Sequence, residues 1–285
     1  MKKKTTMKKK TTIRMTTTRM TTIRMTTKLN LRQRLMQALL LVWTCSGASV
    51  VLADDHTGQT ASSSMTQVNL CYLNEGKTMA DVEALNTQFF AWLKEKDLDP
   101  YSILITPVAN ASPPLTPTYE FIEMLTGPYE RIGQMWEQIQ GTEQGQQMAA
   151  DWAEIATCGT RLAHLVHKFR DQEVLAGTDT RIVQLTRCEV QPTEPGTLRK
   201  VHDEMLADRS NDATNMYWGL ILPGAGGEPG VFRHMVSFPS MSAYTAAFEQ
   251  RNAPGAWQRQ REYNEKYADC DGASVWAGRV QNRPG

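Results

Sequence analysis

The residues able to do chemistry in this chain are five histidines, a pair of carboxylates in one apolar run, and four cysteines beyond residue 53. His164 and His167 stand three apart in a run that reads as a strand. Strand alternation points them to opposite faces, so they cannot share a metal ion. Glu120 and Glu123 are also three apart and are not a paired acid–base site. His234 follows Arg233 and lies in the row Phe232, His234, Val236, Phe238. On such an apolar face a histidine serves either as a hydrogen-bonded packing residue or as a ligand or acid–base group. His202, beside Asp203 and Glu204, reads as a solvated surface residue. The glycine-rich segment Gly224 to Gly230 joins two strands, whereas a phosphate cradle needs a helix N-terminus after the loop. The chain has no serine nucleophile motif, and its cysteines lack zinc spacing. Trp136, Trp152, Phe248 and Trp257 fall at helical apolar positions and are expected in the core.

His56 has a different context. Residues 1–53 carry 12 Lys and Arg and no acid, leaving 19 basic and 30 acidic residues, a net of −11, in the remainder. Residues 1–27 repeat Thr-Thr-x-Arg-Met, as at Thr11 to Met15 and Thr21 to Met25. That pattern reads as an expansion upstream of a start at Met25 rather than as a nucleic-acid-binding tail. Lys28, Arg32 and Arg34, then the apolar stretch Leu35 to Trp43, then Val51, Leu52 and Ala53 form a secretory signal with cleavage expected after Ala53, Ser46 to Ala48 offering a second site. The mature chain would begin Asp54, Asp55, His56. A free amine, two amides and an imidazole in that order can hold Cu(II) or Ni(II) in a square plane. The expectations are a leader at 1–53, a polar linker at 54–66, and export to the periplasm or beyond. An acidic mature chain argues against nucleic acid, and nothing after the signal resembles a membrane span.

The remainder reads as one unit written twice. Tyr101 to Pro107 matches Tyr217 to Pro223 at an offset of 116. Trp136 to Gln138 matches Phe248 to Gln250 at 112, Cys158 matches Cys270 at 112, and Gln67 and Cys71 match Gln184 and Cys188 at 117. Each copy gives strand, helix, strand, strand, helix, strand. The first strand of copy one is read at Val68–Leu73, with a helix at 80–93 that Thr78 and Asp81 cap as a box. Strands follow at 101–106, ended by Pro107, and at 119–125, with a Pro-rich hairpin at 111–117 between them. Helices at 129–139 and 146–156 and a strand at 161–169 complete the copy. Copy two places strands at 181–190, 214–222, 231–238 and 273–281, and helices at 195–207, 241–251 and 256–267. The expected fold is α+β, two tandem ferredoxin-like βαββαβ repeats at 67–172 and 178–285 packed as an intrachain barrel.

This element order resembles the dimeric α+β barrel families: antibiotic-biosynthesis-type monooxygenases that work without a cofactor, EthD-like and NIPSNAP-like proteins. The stretch Cys71 to Asp81 is also similar to uncharacterised exported bacterial proteins with a cysteine in the first strand, a group that brings no activity with it. What the resemblance implies is two units packed sheet to sheet, with no cofactor.

The cysteines follow from the topology. In βαββαβ the first and last strands are antiparallel neighbours, so Cys71 is expected to pair with Cys158 and Cys188 with Cys270. In an oxidising compartment four such cysteines form two disulfides. A ligand site is expected in the second copy, at Arg233, His234 and Trp276, where the third strand is more polar than its counterpart Phe121 and Ile122. The functional expectation is a non-enzymatic protein, monomer or homodimer, that binds a small apolar ligand or a partner. The alternative is a cofactor-independent monooxygenase-like enzyme.

Overall fold

The structure, a computed structural model, describes residues 62–109, 119–209, 214–251 and 254–284. The signal sequence, Asp54, Asp55 and His56, and the 111–117 hairpin lie outside the described residues. The elements run β1 (Ser63–Leu73), α1 (Met79–Glu95), β2 (Tyr101–Ala109), β3 (Phe121–Gly127), α2 (Tyr129–Gly141), α3 (Glu143–Ile155) and β4 (Ala156–Arg170). After a short α4 (Gln172–Ala176) come β5 (Thr180–Val190), α5 (Thr197–Ala207), β6 (Tyr217–Pro223), β7 (Val231–Phe238), α6 (Met241–Arg251), α7 (Ala256–Lys266), β8 (Ala268–Cys270) and β9 (Ser274–Asn282).

Eight strands close an antiparallel barrel in the order β4-β1-β3-β2-β9-β5-β7-β6, with β6 returning to β4. Closure leaves no open edge among these strands. β8 adds a short pairing to β5 ahead of β9. The α+β barrel is therefore built from two four-strand runs of like order, one from residues 63–170 and one from 180–282.

Period-two alternation explains the layers. Val68 and Leu70 of β1, Ile103 and Ile105 of β2, and Ile122 and Met124 of β3 fill the lumen together with Ala163, Val183, Ile221, Met235 and Trp276. The intervening residues face the helices. Phe121 and Leu104 pack against Val82 of α1 and Trp152 of α3, and Leu125 against Phe90 and Leu93 of α1 and Ile132 and Met135 of α2. Full burial of such side chains contributes on the order of 1.5–3 kcal/mol each. Thr78 caps α1 reciprocally with Asp81, whose carboxylate accepts from the Thr78 backbone N–H and hydroxyl at 2.7 Å each. Where α2 meets α3, a Cβ on Gly145 would run into the backbone of Gln138 and Ile139, so only glycine fits this joint.

Three expectations need correction. β1 begins at Ser63, inside the stretch read as linker, and pairs Ser63 and Ser64 with Val166 and Leu165. β2 continues past Pro107 to Ala109; a bulge against β9 there tolerates the missing donor. Phe248 and Trp257 are 55% and 58% exposed rather than in the core, whereas Trp136 and Trp152 pack against it.

Cys71 is joined to Cys158 and Cys188 to Cys270, with Cα atoms 4.2 and 4.0 Å apart. Each pair sits directly opposite in its ladder. Among the described residues, no helix is long and apolar enough to cross a membrane.

Candidate functional site

Register along the disulfide-bearing strands places the site. Two residues before Cys71, Asn69 stands opposite Glu123 on β3 and Thr160 on β4. All three side chains face the helices. Asn69 Nδ2 donates to Glu123 Oε2 at 2.9 Å, while its Oδ1 accepts from Thr160 Oγ1 at 2.9 Å and from Gln67 Nε2 at 3.1 Å. This row of hydrogen bonds fixes the amide's orientation and, through it, the carboxyl.

Above the row lies a cavity of about 420 Å³ between the sheet and helices α1, α2 and α3. Its far wall is apolar and aromatic: Leu85, Phe89, Trp136, Ile139, Met148 and Trp152. Glu123 is only 3% exposed. Burial pushes its carboxyl up to about 7, against the opposing pull of the Asn69 and Asn86 amides. A carboxyl poised there is half ionised near neutrality, which suits a general base or acid. Four buried polar atoms around this cavity lie within hydrogen-bonding geometry of no partner: Glu123 Oε1, Gln67 Oε1, Asn86 Nδ2 and Trp136 Nε1, the Asn86 amide standing near enough to Glu123 to favour its ionised form. Two accept and two donate. Buried orphan atoms are uncommon, and four at one cavity mark a place for a polar ligand group.

The sequence reading passed over Glu123 because it sought a paired carboxylate. The useful signal was a lone acid between Phe121 and Leu125 on the helix-facing alternation.

The corresponding level of β5 and β7 is built differently. Cys188 faces Phe232 as Cys71 faces Phe121, and Thr186 faces His234 as Asn69 faces Glu123. His234 therefore stands where Glu123 does. Its surroundings are rings. Trp218 Nε1 donates to His234 Nδ1 at 3.1 Å, so the histidine proton sits on Nε2, 3.2 Å from the Tyr263 hydroxyl. Tyr263 in turn lies 2.7 Å from His202 Nε2. His202 is 1% exposed, correcting the expectation of a solvated residue. Leu198, Val201 and His202 form one helical stripe that α5 turns to the sheet.

The sequence-expected trio is divided. Arg233 and Trp276 line a second cavity, in the lumen, while His234 faces the helices. The sequence alignment matched Arg233 and His234 to Phe121 and Ile122; the ladder registers match them to Ile122 and Glu123. A slip of one residue exchanges the faces of a strand. Cys188, Cys270 and His234 cluster closely, but both cysteines are bonded to each other and offer no thiolate to a metal. His164 is exposed, with Nδ1 3.1 Å from the Tyr129 hydroxyl; His167, on the opposite face, is buried and bonds Ser64 and Tyr217.

Burial holds His202 down at about 3 and His234 and His167 at about 4. The unfolded chain takes up these protons from about pH 6.5 downward, and the folded chain does not until the lower values. Stability contributed by the neutral rings is therefore full above pH 6.5 and falls with pH down to about 3–4. Glu123 acts with the opposite sign: its folded form holds a proton between about pH 4.5 and 7, so its contribution is lost as pH rises through 7. Three histidines outweigh one carboxyl, so a net loss of several kcal/mol is expected on going from pH 7 to 4.5. Urea unfolding at the two values measures it, and His202→Phe should remove part of the difference. Equal midpoints at both pH values would contradict the buried neutral histidines.

No family model matches the chain, and no curated protein does. Solved structures are similar. One is a "putative monooxygenase" from Fusobacterium nucleatum, at 10% identity, covering 79% of this chain and 96% of that one, with a TM-score of 0.51. Another "putative monooxygenase", from Lactobacillus acidophilus, gives 10% identity, 78% and 95% coverage, and a TM-score of 0.51. Both names are those of enzymes, and the expectation of a non-enzymatic binding protein is corrected on that ground. At this identity the likeness is one of architecture: the chain has the α+β barrel fold of these two structures.

Proposed function

We propose that the protein is a monooxygenase-like enzyme whose active site is the sheet–helix cavity at Glu123. The observation that carries this reading is a buried carboxyl with a pKa of about 7, its Oε1 unpartnered, at the floor of an aromatic-walled cavity. The names of the two similar structures support it. The aromatic wall suits a flat, aromatic substrate. The polar floor suits one whose acidic C–H is conjugated to a carbonyl.

The chemistry then needs no electron donor other than the substrate. The ionised Glu123 takes the C–H proton on Oε1, and the bonding pair stays on the substrate as an enolate. Asn86 Nδ2 and Trp136 Nε1 are the donors available to the enolate oxygen. The enolate passes electrons to O₂ one at a time, a C–O bond forms, and the resulting peroxide oxygen takes the proton back from Glu123. Loss of water from the hydroperoxide leaves a carbonyl, so that R₂CH₂ and O₂ give R₂C=O and H₂O.

An oxygen electrode with anthrone as probe tests this. Consumption of one O₂ per ketone formed is expected, with label from ¹⁸O₂ in the new carbonyl. Formation of the ketone at the buffer rate, or without label, would contradict it.

The reading extends to the setting. Two disulfides support an oxidising compartment, the periplasm or outside the cell. In this account residues 1–53 are a leader and 67–172 and 178–285 are two ferredoxin-like units of one barrel, akin to exported bacterial members of the superfamily. The chain works as a monomer or homodimer, and Asp54, Asp55 and His56 offer Cu(II) a site at the mature amino terminus.

A further inference from the structure

The lumen holds a cavity of about 210 Å³, separate from the one at Glu123 and on the other side of the sheet. Its deep wall is apolar, formed by Leu70, Ile122, Met124, Ile221 and Trp276. Its mouth carries three arginines, Arg161, Arg187 and Arg233, with Glu228 and Asp271.

The charges there do not pair evenly. Arg187 takes Glu189 at 2.8 Å, Glu228 at 3.1 Å and Asp271 at 3.7 Å. Among the described residues Arg161 and Arg233 have neither an ion pair nor a side-chain hydrogen bond. Arg233 is half-buried, and burial, then the neighbouring Arg161 and Arg187 charges, lower its pKa against the weaker pull of Glu228. A desolvated guanidinium beside two others is unfavourable unless an anion joins it.

We propose that the lumen is a second binding site, taking a short amphipathic carboxylate whose head lies between Arg161 and Arg233 and whose apolar tail runs into the barrel. Arginine pairs a carboxylate with two parallel hydrogen bonds, and the tail replaces water along the apolar wall. The cavity is smaller than the roughly 300–1,000 Å³ of drug-sized sites, which favours a short chain. This site does not depend on the reaction assigned to the Glu123 cavity.

Titration calorimetry with octanoate and octanol tests it on the full mature chain. Octanoate should bind once per chain and at least tenfold more tightly than octanol. Arg233→Met should weaken octanoate at least tenfold and leave octanol little changed, with Arg161→Met as a second variant should the first fold poorly. Glu123→Gln should bind octanoate as the parent does. Absence of octanoate binding at millimolar concentration, equal affinity for octanol, or undiminished affinity in both arginine variants would overturn the proposal.

Discussion

Replacing Glu123 with glutamine is expected to lower kcat for the oxygenation by two to four orders of magnitude, the usual contribution of a positioned general base. That is roughly 3–5 kcal/mol of transition-state stabilisation lost, with KM little changed. The substitution keeps size and shape, and the glutamine oxygen can still accept from Asn69 Nδ2, which now donates to Glu123 Oε2. Stability separates the catalytic role from a structural one. Above pH 7 the parent must hold an ionised carboxylate that is 3% exposed, and the amide need not. The variant should therefore be as stable as the parent at pH 8, or more so, while nearly inactive. Loss of activity together with a lower urea midpoint at pH 8 would count against a proton-transfer role.

The second large effect is on stability. Cys71–Cys158 closes 87 residues and Cys188–Cys270 closes 82. In the chain-entropy account, loops of this size stabilise by about 4–5 kcal/mol each, by restricting the unfolded chain. Changing either pair to alanine should lower the urea unfolding free energy by that order, and a change under about 1 kcal/mol would contradict it. The two pairs should differ in activity. Cys158 lines the Glu123 cavity, Trp152 Nε1 donates to its Sγ at 3.4 Å, and Cys71 is two residues from Asn69. Removing that bridge should impair turnover at temperatures where the chain stays folded. Removing Cys188–Cys270, which lies beneath His202, His234 and Tyr263, should reduce stability and leave kcat close to that of the parent.

Much of the architecture was legible because it rests on local patterns. Alternating apolar residues marked the strands, Thr78 and Asp81 announced the start of α1, and Val231–Phe238 and Met241–Arg251 have the bounds their periodicity suggests. The site was less legible, because it depends on register. Arg233 and His234 were compared with Phe121 and Ile122, one residue away from their true counterparts. Apart from that slip, Arg233 and His234 were put in one pocket, although adjacent strand residues face opposite layers. His202 was misread from its acidic neighbours in sequence, whereas burial on a helix follows the residues three and four positions away, here Leu198, four before it. Glu123 was set aside for lack of a second carboxylate. Its partner is an amide on β1, with the Asn86 amide of α1 close by, which sequence separation hides and the barrel brings together.

The most direct measurement of the account is the pH dependence of kcat/KM for anthrone oxygenation in the parent and in Glu123→Gln. The base must be ionised, so the parent should gain activity as pH rises through an apparent pKa of about 7 and level off above it. In the glutamine variant the remaining activity should lack that limb. A limb near pH 7 that persists unchanged in the variant would show that another group takes the proton and that the cavity at Glu123 is not the active site.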